Sequence, residues 1–462
     1  MKVLLIVYDN DSYIHWFPLG LGYIASVLRN AGHQVSIYNQ DQYHYPEAHL
    51  VNYLKEDRFD VVGLGVIGGY YQYRKLLEIS RAINSVPDRP FFILGGNGPS
   101  PEPDYFLRKT GADTIVIGEG ETTVVDLLDA VAGNRSLNKV KGISYFDGEK
   151  TIITESREQI TDLDSIPYPA WDLFPMDYYT LIRQPHTQNS DRVFSVLSGR
   201  GCPFRCNFCY RMDKGYRPRS PESIVEEIRI LKKDYGVTYI DFSDELLMIS
   251  ATRVAALCEA FLRAELKIKW SCNGRLNYAR PEILKLMKKA GCVFINYGIE
   301  SMDDAILKVM NKNLTVSQII TGIEATIAEG ISPGYNIIFG NIGETAEILQ
   351  KGIDFLLKYD DHSQLRTIRP VTPYPGSDLY YYAIEKGLLE DCADFYEKKH
   401  INSDLLSVNF TGVSDDEFHR LLYEANRTLL SNYYSSLSES MDNTARDLYF
   451  NRNLKFRGFR QT

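Results

Sequence analysis

At 462 residues the chain is too long for one ordinary core, and a composition 44% hydrophobic and 24% charged is that of a globular protein of two or three domains. A net charge of −9 argues against a nucleic-acid-coating surface, which is normally basic. No stretch reaches the ~18 apolar residues of a membrane helix, and the apolar start VLLIVY (3–8) meets Asp9 and Asp11 too soon for a signal peptide. The seven cysteines form no paired framework, which fits reduced thiols in a cytoplasmic protein.

In chain order, KVLLIVY (2–8), DVVGLGVI (60–67), FFILGG (91–96) and TIVIGEG (114–120) read as strands buried on both faces. Helical patterns lie between them: Leu21, Ile24, Ala25, Leu28 and Ala31 ending at Gly32, and Val124, Val125, Leu127, Leu128 and Val131 ending at Gly133. This alternation predicts an α/β domain over 1–135 built on a doubly wound parallel sheet, whose ligand sits beyond the carboxyl ends of the strands. Glycines gather at those ends: Gly68 and Gly69, then Gly95, Gly96 and Gly98, then Gly118 and Gly120. None forms a GxGxxG fingerprint, so a dinucleotide is not favoured.

Residues 136–190 read as a linker. ISYFDGEKTIIT (143–154) carries a hairpin signal, and the proline- and aromatic-rich DLDSIPYPAWDLFPMDYY (162–179) reads as an extended strap across the next domain. The third segment, 191–380, opens with the strand VFSVLS and then SGRGCPFRCNFCYR (198–211), which places Cys202, Cys206 and Cys209 within eight positions. A structural zinc site closes with four ligands. Three soft thiolates with one open position suit an iron–sulfur assembly, while a zinc knuckle completed by a distant Cys or His is the alternative. Strands follow at 238–246, 270–275, 293–301, 334–345 and 365–377, with helices between them; the first of these helices is capped by Ser220 and opened by Pro221. The series predicts a partial (βα)6 barrel with its function at the strand ends. Cys258 and Cys292 are most simply core, Cys272 alternates with Trp270 and is core or faces the barrel interior, and Cys392 has no assignment. Residues 381–462 read as a helical domain capping the open side of the barrel, with Tyr433, Tyr434 and the tyrosines at 380–382 as candidate groove residues. Arg452, Lys455, Arg457 and Arg460 read as a solvated tail.

PLGLGYIASVLRNAGHQV (18–35), LGGNGPSPEP (94–103) and IGEGETT (117–123) resemble the cobalamin-binding domain of B12-dependent radical SAM enzymes, and the cysteine loop resembles the radical SAM signature. The resemblance covers roughly the first 390 residues and includes PYPGSDLYYYAIEKGL (373–388), a frequent sequel to the sixth strand. It implies a 4Fe–4S cluster on Cys202, Cys206 and Cys209 whose open iron takes S-adenosylmethionine. It also implies contacts to that molecule from Phe208, Asp244, Glu245, Arg275, Glu300, Ser301 and Gly340. Cobalamin contacts are expected from Phe17, Leu19, Gly68, Gly69, Gly96, Asn97, Gly98, Gly120 and Glu121. The cobalt-ligating DxHxxG motif is absent; DNDSYIHWFPLG (9–20) stands there, and its His15 is not expected to ligate cobalt. The implied activity is methylation of an unactivated sp3 carbon by way of a 5′-deoxyadenosyl radical and methylcobalamin, with cyclisation, ring rearrangement or oxygenation as the rival outcome. Expected partners are a protein, peptide or small-molecule substrate and a flavodoxin- or ferredoxin-type reductant, with no nucleic acid and no membrane. A tRNA methylthiotransferase is disfavoured because no cysteine precedes Cys202, and a non-catalytic cobalamin sensor would not need the triad.

Overall fold

The computed structural model describes residues 1–212 and 215–453; of the basic tail, Lys455, Arg457 and Arg460 lie outside them. The first sheet runs through β1 (Lys2–Val7), β2 (Gln34–Asn39), β3 (Val61–Gly65), β4 (Phe91–Gly95), β5 (Thr114–Val116), β6 (Ile143–Asp147) and β7 (Lys150–Ile153). Its strand order is 2-1-3-4-5-6-7, parallel through β5, with β6 and β7 added antiparallel. The order reverses at β1, so the crevice beyond β1 and β3 is the expected ligand site. The hairpin of the linker forms as predicted and extends this sheet's edge. β2 is the strand that the apolar-run criterion passes over, because QVSIYN buries only Val35, Tyr38 and Asn39.

The strap contains no strand. Short helical turns at Leu163–Ser165, Trp171–Leu173 and Met176–Tyr179 break it, as its prolines require. It ties the two sheets together: Ala170 N–H donates to the Gly22 carbonyl, and Tyr168 hydroxyl to the Ser223 carbonyl, 2.9 Å away. Phe17 of the first unit packs against Phe174 of the strap and Phe194 of the second sheet, each with ring centroids 4.9 Å apart.

The second sheet is the predicted partial barrel. β8 (Val193–Val196) leads to a small antiparallel pair, β9 (Gly199–Arg200) with β10 (Arg217–Pro218). Then come β11 (Tyr239–Phe242), β12 (Lys269–Gly274), β13 (Cys292–Glu300), β14 (Ser332–Phe339) and β15 (Arg369–Pro370). The six-stranded order is 15-14-13-12-11-8, all parallel. The expected strand over 365–377 shrinks to two paired residues. The helix after the cysteine loop, Pro221–Tyr235, begins as expected: Ser220 Oγ accepts from Ser223 N–H at 3.1 Å, an interaction worth about 1 kcal/mol, and Gly236 ends it at φ +66°.

The residues from Tyr380 onward divide between two supports. Tyr380, Cys392, Phe395 and Tyr396 pack into the helical face of the first sheet beside Tyr73 and Phe106, which places Cys392 in a core. The helix Asp415–Phe450 lies instead on the barrel edge: Phe418 stacks on Phe339, and Asn426 bonds both the N–H and the C=O of Ile368. The candidate groove tyrosines are not gathered there; Tyr380 is core, and Tyr381 and Tyr434 face outward. No helix among the described residues is long and apolar enough to cross a membrane.

Candidate functional site

A cavity of about 500 Å³ lies beyond the carboxyl ends of β1, β3 and β4, at the strand-order reversal. Its walls are mostly apolar, and it is closed from below by Leu197, Ser243 and Glu245 at the ends of β8 and β11, so both sheets build it. Phe17, Leu19, Gly96, Asn97, Gly120 and Glu121, six of the nine residues named as candidate cobalamin contacts, line it. Gly96 has φ +99°, and a Cβ there would stand 2.5 Å from the Val66 carbonyl oxygen, so only glycine lets the turn lie against β3.

Three expected cobalamin residues lie elsewhere. Gly68 is turned to the C-terminal segment, its carbonyl accepting from Tyr396 hydroxyl at 3.4 Å. Gly69 caps the helix Tyr70–Asn84, and Gly98 packs on the Ile67 carbonyl. After Ile67 the chain leaves the cavity wall, which is why these glycines serve the turn and not the crevice. His15 is in the lining beside Trp16, and its ring has no hydrogen-bond partner among the described residues.

The cysteine loop stands next to this floor. Gly201 N–H donates to Glu245 Oε2 at 3.1 Å, so one carboxylate borders both cavity and loop. Asn207, inside the CxxxCxxC segment, is the loop's anchor: its N–H bonds the Met310 carbonyl, its carbonyl accepts from Leu379 N–H, and its amide pairs with Asn341 at 3.1 and 3.2 Å. Cys206 is buried, Cys202 partly so, and Cys209 exposed. A hydrogen bond from the Cys209 thiol, against the opposing effect of burial, and the nearby Lys312 and Arg275 push the Cys206 thiol down to about 6. Among the described residues no three His, Cys, Asp or Glu side chains stand ready to hold one ion. The triad is nonetheless chemically apt for an iron–sulfur cluster: three soft donors on one loop, with cations beside them to offset thiolate charge.

Arg275 is buried with its guanidinium carbon 3.5 Å from the Phe204 ring centroid, and its Nε and Nη2 have no partner. Buried guanidinium donors without a partner beside the thiols are chemically suited to an anionic group. Glu300, at φ +71° on a β-bulge of β13, is paired with Lys312, whose Nζ is 2.8 Å away and 5.9 Å from the Phe208 ring centroid. Ser301 is buried. Gly340 has φ +105°, and a Cβ there would meet the Phe418 ring at 2.8 Å. Its N–H and that of Asn341 are held by Glu344, whose carboxyl burial pushes up to about 7.

Asp244 is used differently from the expectation. Its carboxylate accepts from Ser198 N–H, Ser198 hydroxyl and Gly199 N–H, fixing the strand end that leads to the cysteines. Of the SDE acids, Glu245 alone lines the cavity. Asn207, Lys312 and Glu344 are the residues that sequence reading missed; the only signal was their place inside or just after the strand-end motifs.

The two units are also joined by buried ion pairs. Arg200, two residues before Cys202, reaches Glu119 at 2.8 Å and Glu121 at 2.5 Å, and Arg217 reaches Glu119 at 2.8 Å. Glu121 thus meets the cavity as one member of this latch. The Arg200 guanidinium also lies 5.4 Å from the Tyr23 ring centroid.

The sequence matches the Radical SAM superfamily over residues 196–356 and the B12 binding domain over residues 5–128. It is 32% identical over 401 residues to an uncharacterized methyltransferase of Pyrococcus horikoshii, covering 84% of each chain. It is 29% identical over 385 residues to the anaerobic magnesium-protoporphyrin IX monomethyl ester cyclase of Rubrivivax gelatinosus, covering 79% of this chain and 66% of that one. The fold is shared with the radical S-adenosylmethionine methyltransferase TsrM of Kitasatospora setae, solved with cobalamin and a 4Fe–4S cluster bound, at a TM-score of 0.72 and 18% identity, covering 93% and 88% of the two chains.

Proposed function

Because the chain belongs to the B12-dependent radical SAM methyltransferase family, we propose that it transfers a methyl group to an unactivated sp3 carbon of a protein side chain, peptide or small metabolite. The family fixes the enzyme class, C-methylation, and the three cofactors: a 4Fe–4S cluster, S-adenosylmethionine and cobalamin. The observation that carries the proposal is the shared floor: Glu245 borders both the cavity at the strand-order reversal and the loop of three cysteines. When bound, the cluster with S-adenosylmethionine supplies radical generation, and cobalamin supplies the methyl carrier.

The residues divide the remaining work. Cys202, Cys206 and Cys209 would hold the cluster and leave one iron open. Arg275, through its unpaired Nε and Nη2, would bind the S-adenosylmethionine carboxylate, and Glu245 its amino group. Glu300 and Ser301 would meet the ribose, with Lys312 paired to Glu300 and fixing its carboxylate in place, and Gly340 would border the adenine. Phe17, Leu19, Gly96, Asn97 and Gly120 would shape the cobalamin cavity and exclude water from it. A flavodoxin- or ferredoxin-type protein would supply electrons. The relatedness to a cyclase keeps ring formation as the second reading, and the mass of the product separates the two: methyl transfer adds one carbon to the substrate, cyclisation none.

Two outcomes test the cavity. Gly20 borders it on the helix Leu19–Asn30, and a Cβ there meets nothing within 4 Å. Gly20→Trp should therefore fold, gaining roughly 0.5 kcal/mol of helix propensity, while cobalamin retention on gel filtration falls by about tenfold or more. Undiminished cobalamin in that variant would place the cofactor elsewhere. His15→Ala should leave the cobalamin spectrum and electron paramagnetic resonance signal unchanged, because nothing orients the imidazole as a metal ligand's second nitrogen normally requires. Nitrogen hyperfine splitting that vanishes in this variant would make His15 the lower ligand.

A further inference from the structure

The lumen of the half-barrel is polar where a barrel interior is ordinarily filled by branched apolar residues. Strand alternation separates the faces, with Val193, Tyr239 and Phe294 closing the base of the inner one and polar residues above them. Phe242, Trp270, Cys272, Ile295, Tyr297 and Tyr335 sit in the core under the helices, so Asp241, Ser271, Asn273, Asn296 and Asn336 face the lumen. The register stacks these residues in layers. Asp241 lies beside Ser195 and Ser271, Asn273 beside Asn296, and Asn336 beside Gly298 nearer the mouth. Hydrogen bonds run across the layers: Ser271 Oγ donates to Asp241 Oδ1 at 2.6 Å, Ser243 Oγ to Asp241 Oδ2 at 3.0 Å, and Asn296 Nδ2 to Asn273 Oδ1 at 3.1 Å. Gly298 and Gly334 contribute no side chain, and a Cβ at Gly334 would stand 2.5 Å from Asn296 Oδ1. Ser243 and Asn336 are exposed although both lie on the inner face.

Asp241 is the unusual member. Burial pushes its carboxyl up, against the Ser271 and Ser243 hydroxyls, and no cation stands among the influences on it. Asp241 is half-buried at the wall of the lumen with only hydroxyl partners, and its oxygens have lone pairs left to accept from a positively charged donor. Above it the Asn273 amide is tied down, its Nδ2 donating to the Asp244 carbonyl at 2.8 Å and its Oδ1 accepting from Asn296, which leaves the Asn296 carbonyl oxygen and the exposed Asn336 amide turned to the lumen.

We propose that this lumen is the substrate site and that it selects a small polar molecule carrying a protonated amine and hydroxyl groups, with the ammonium toward Asp241 and the hydroxyls along the asparagine ladder. A lipid or a tetrapyrrole would cover Asp241 and Asn336 without bonding them, at a cost of roughly 1–3 kcal/mol for each group it buries. The inference rests on the reading that the barrel mouth carries the radical chemistry.

The test is a calorimetric titration of the reconstituted, S-adenosylmethionine-loaded protein with glucosamine, glucose, protoporphyrin IX and a lysyl tripeptide. Glucosamine should bind about tenfold more tightly than glucose, the scale of one charge-assisted hydrogen bond. Asp241→Asn should erase that preference with iron and cobalamin contents unchanged, and Asn296→Leu should weaken both sugars. Equal affinity for the two sugars, a preference that survives Asp241→Asn, or tighter binding of protoporphyrin IX would overturn the proposal. Tighter binding of the lysyl tripeptide would overturn it too, by moving the cation onto a peptide. Metal and cobalamin analysis of the same preparation tests the cofactor reading separately: glucosamine selection in protein that takes up no cobalamin would sink that reading and leave the lumen assignment standing.

Discussion

Protein with Cys202, Cys206 and Cys209 all changed to alanine is expected to hold no iron after anaerobic reconstitution, where the unaltered protein holds about four irons per chain. The effect should be all or none. Cys258, Cys272, Cys292 and Cys392 are buried in apolar cores and cannot substitute as ligands. The fold should survive, because the loop is anchored by Asn207 and by Asp244 through Ser198 and Gly199, and not by the sulfurs. Circular dichroism would confirm this. Iron and sulfide retained at parent levels in the triple variant would remove the cluster assignment, and the zinc alternative with it.

Arg200→Met should be the most damaging single change outside the cysteines. It removes the cation shared by Glu119 and Glu121 at a buried seam; Glu119 keeps Arg217, but Glu121 is left a buried charge without its ion-pair partner, at a cost of about 3 kcal/mol. Burial raises the Glu119 carboxyl, but Arg217, the Ile160 N–H and Arg200 outweigh it and hold the group below its ordinary value. A carboxylate lowered on folding stabilises fully above its unfolded pKa and loses that contribution as pH falls through the folded one. Unfolding by urea should therefore show an acid-dependent stability component in the parent, below about pH 4.5, that is reduced in Arg200→Met. Glu119→Gln should reproduce that loss. Equal denaturation midpoints for parent and Arg200→Met at pH 7 would refute the latch. Because Arg200 also lines the cavity and sits two residues from Cys202, the variant should lose cobalamin affinity as well.

Much of the architecture was legible because the strands are buried on both faces and so read as unbroken apolar runs. β2 escaped for the opposite reason: it lies at the sheet edge and mixes polar residues into its six positions. Glycines at strand ends marked the right edge of the first sheet, but spacing alone could not say which of them face the crevice. Gly96 and Gly120 do, while Gly68 and Gly69 follow the chain outward to Tyr396 and the helix at 70–84. The cysteine triad was plain from spacing. What holds it was not: Asn207 with Asn341, Arg200 with Glu119, and Lys312 with Glu300 are pairs whose members are brought together only by the folded sheets, two of them across more than 80 positions. Asp244 shows the same limit in reverse. A strand-end acid looks available in sequence, and the structure spends it on three donors of the neighbouring strand.

On the proposed function, the cavity and the cysteine loop form one active site across the seam, with Glu245 common to both. The most direct measurement is electron paramagnetic resonance of protein loaded with cobalamin and the cluster, with both cofactors brought to their paramagnetic states. Neighbouring spins should couple, so the cob(II)alamin signal should broaden when the cluster is reduced and sharpen again in the triple cysteine variant. Two fully loaded cofactors whose signals simply add, unchanged by each other, would mean that the sites are separate, and the proposed methylation, which needs both at one substrate carbon, would have no structural basis.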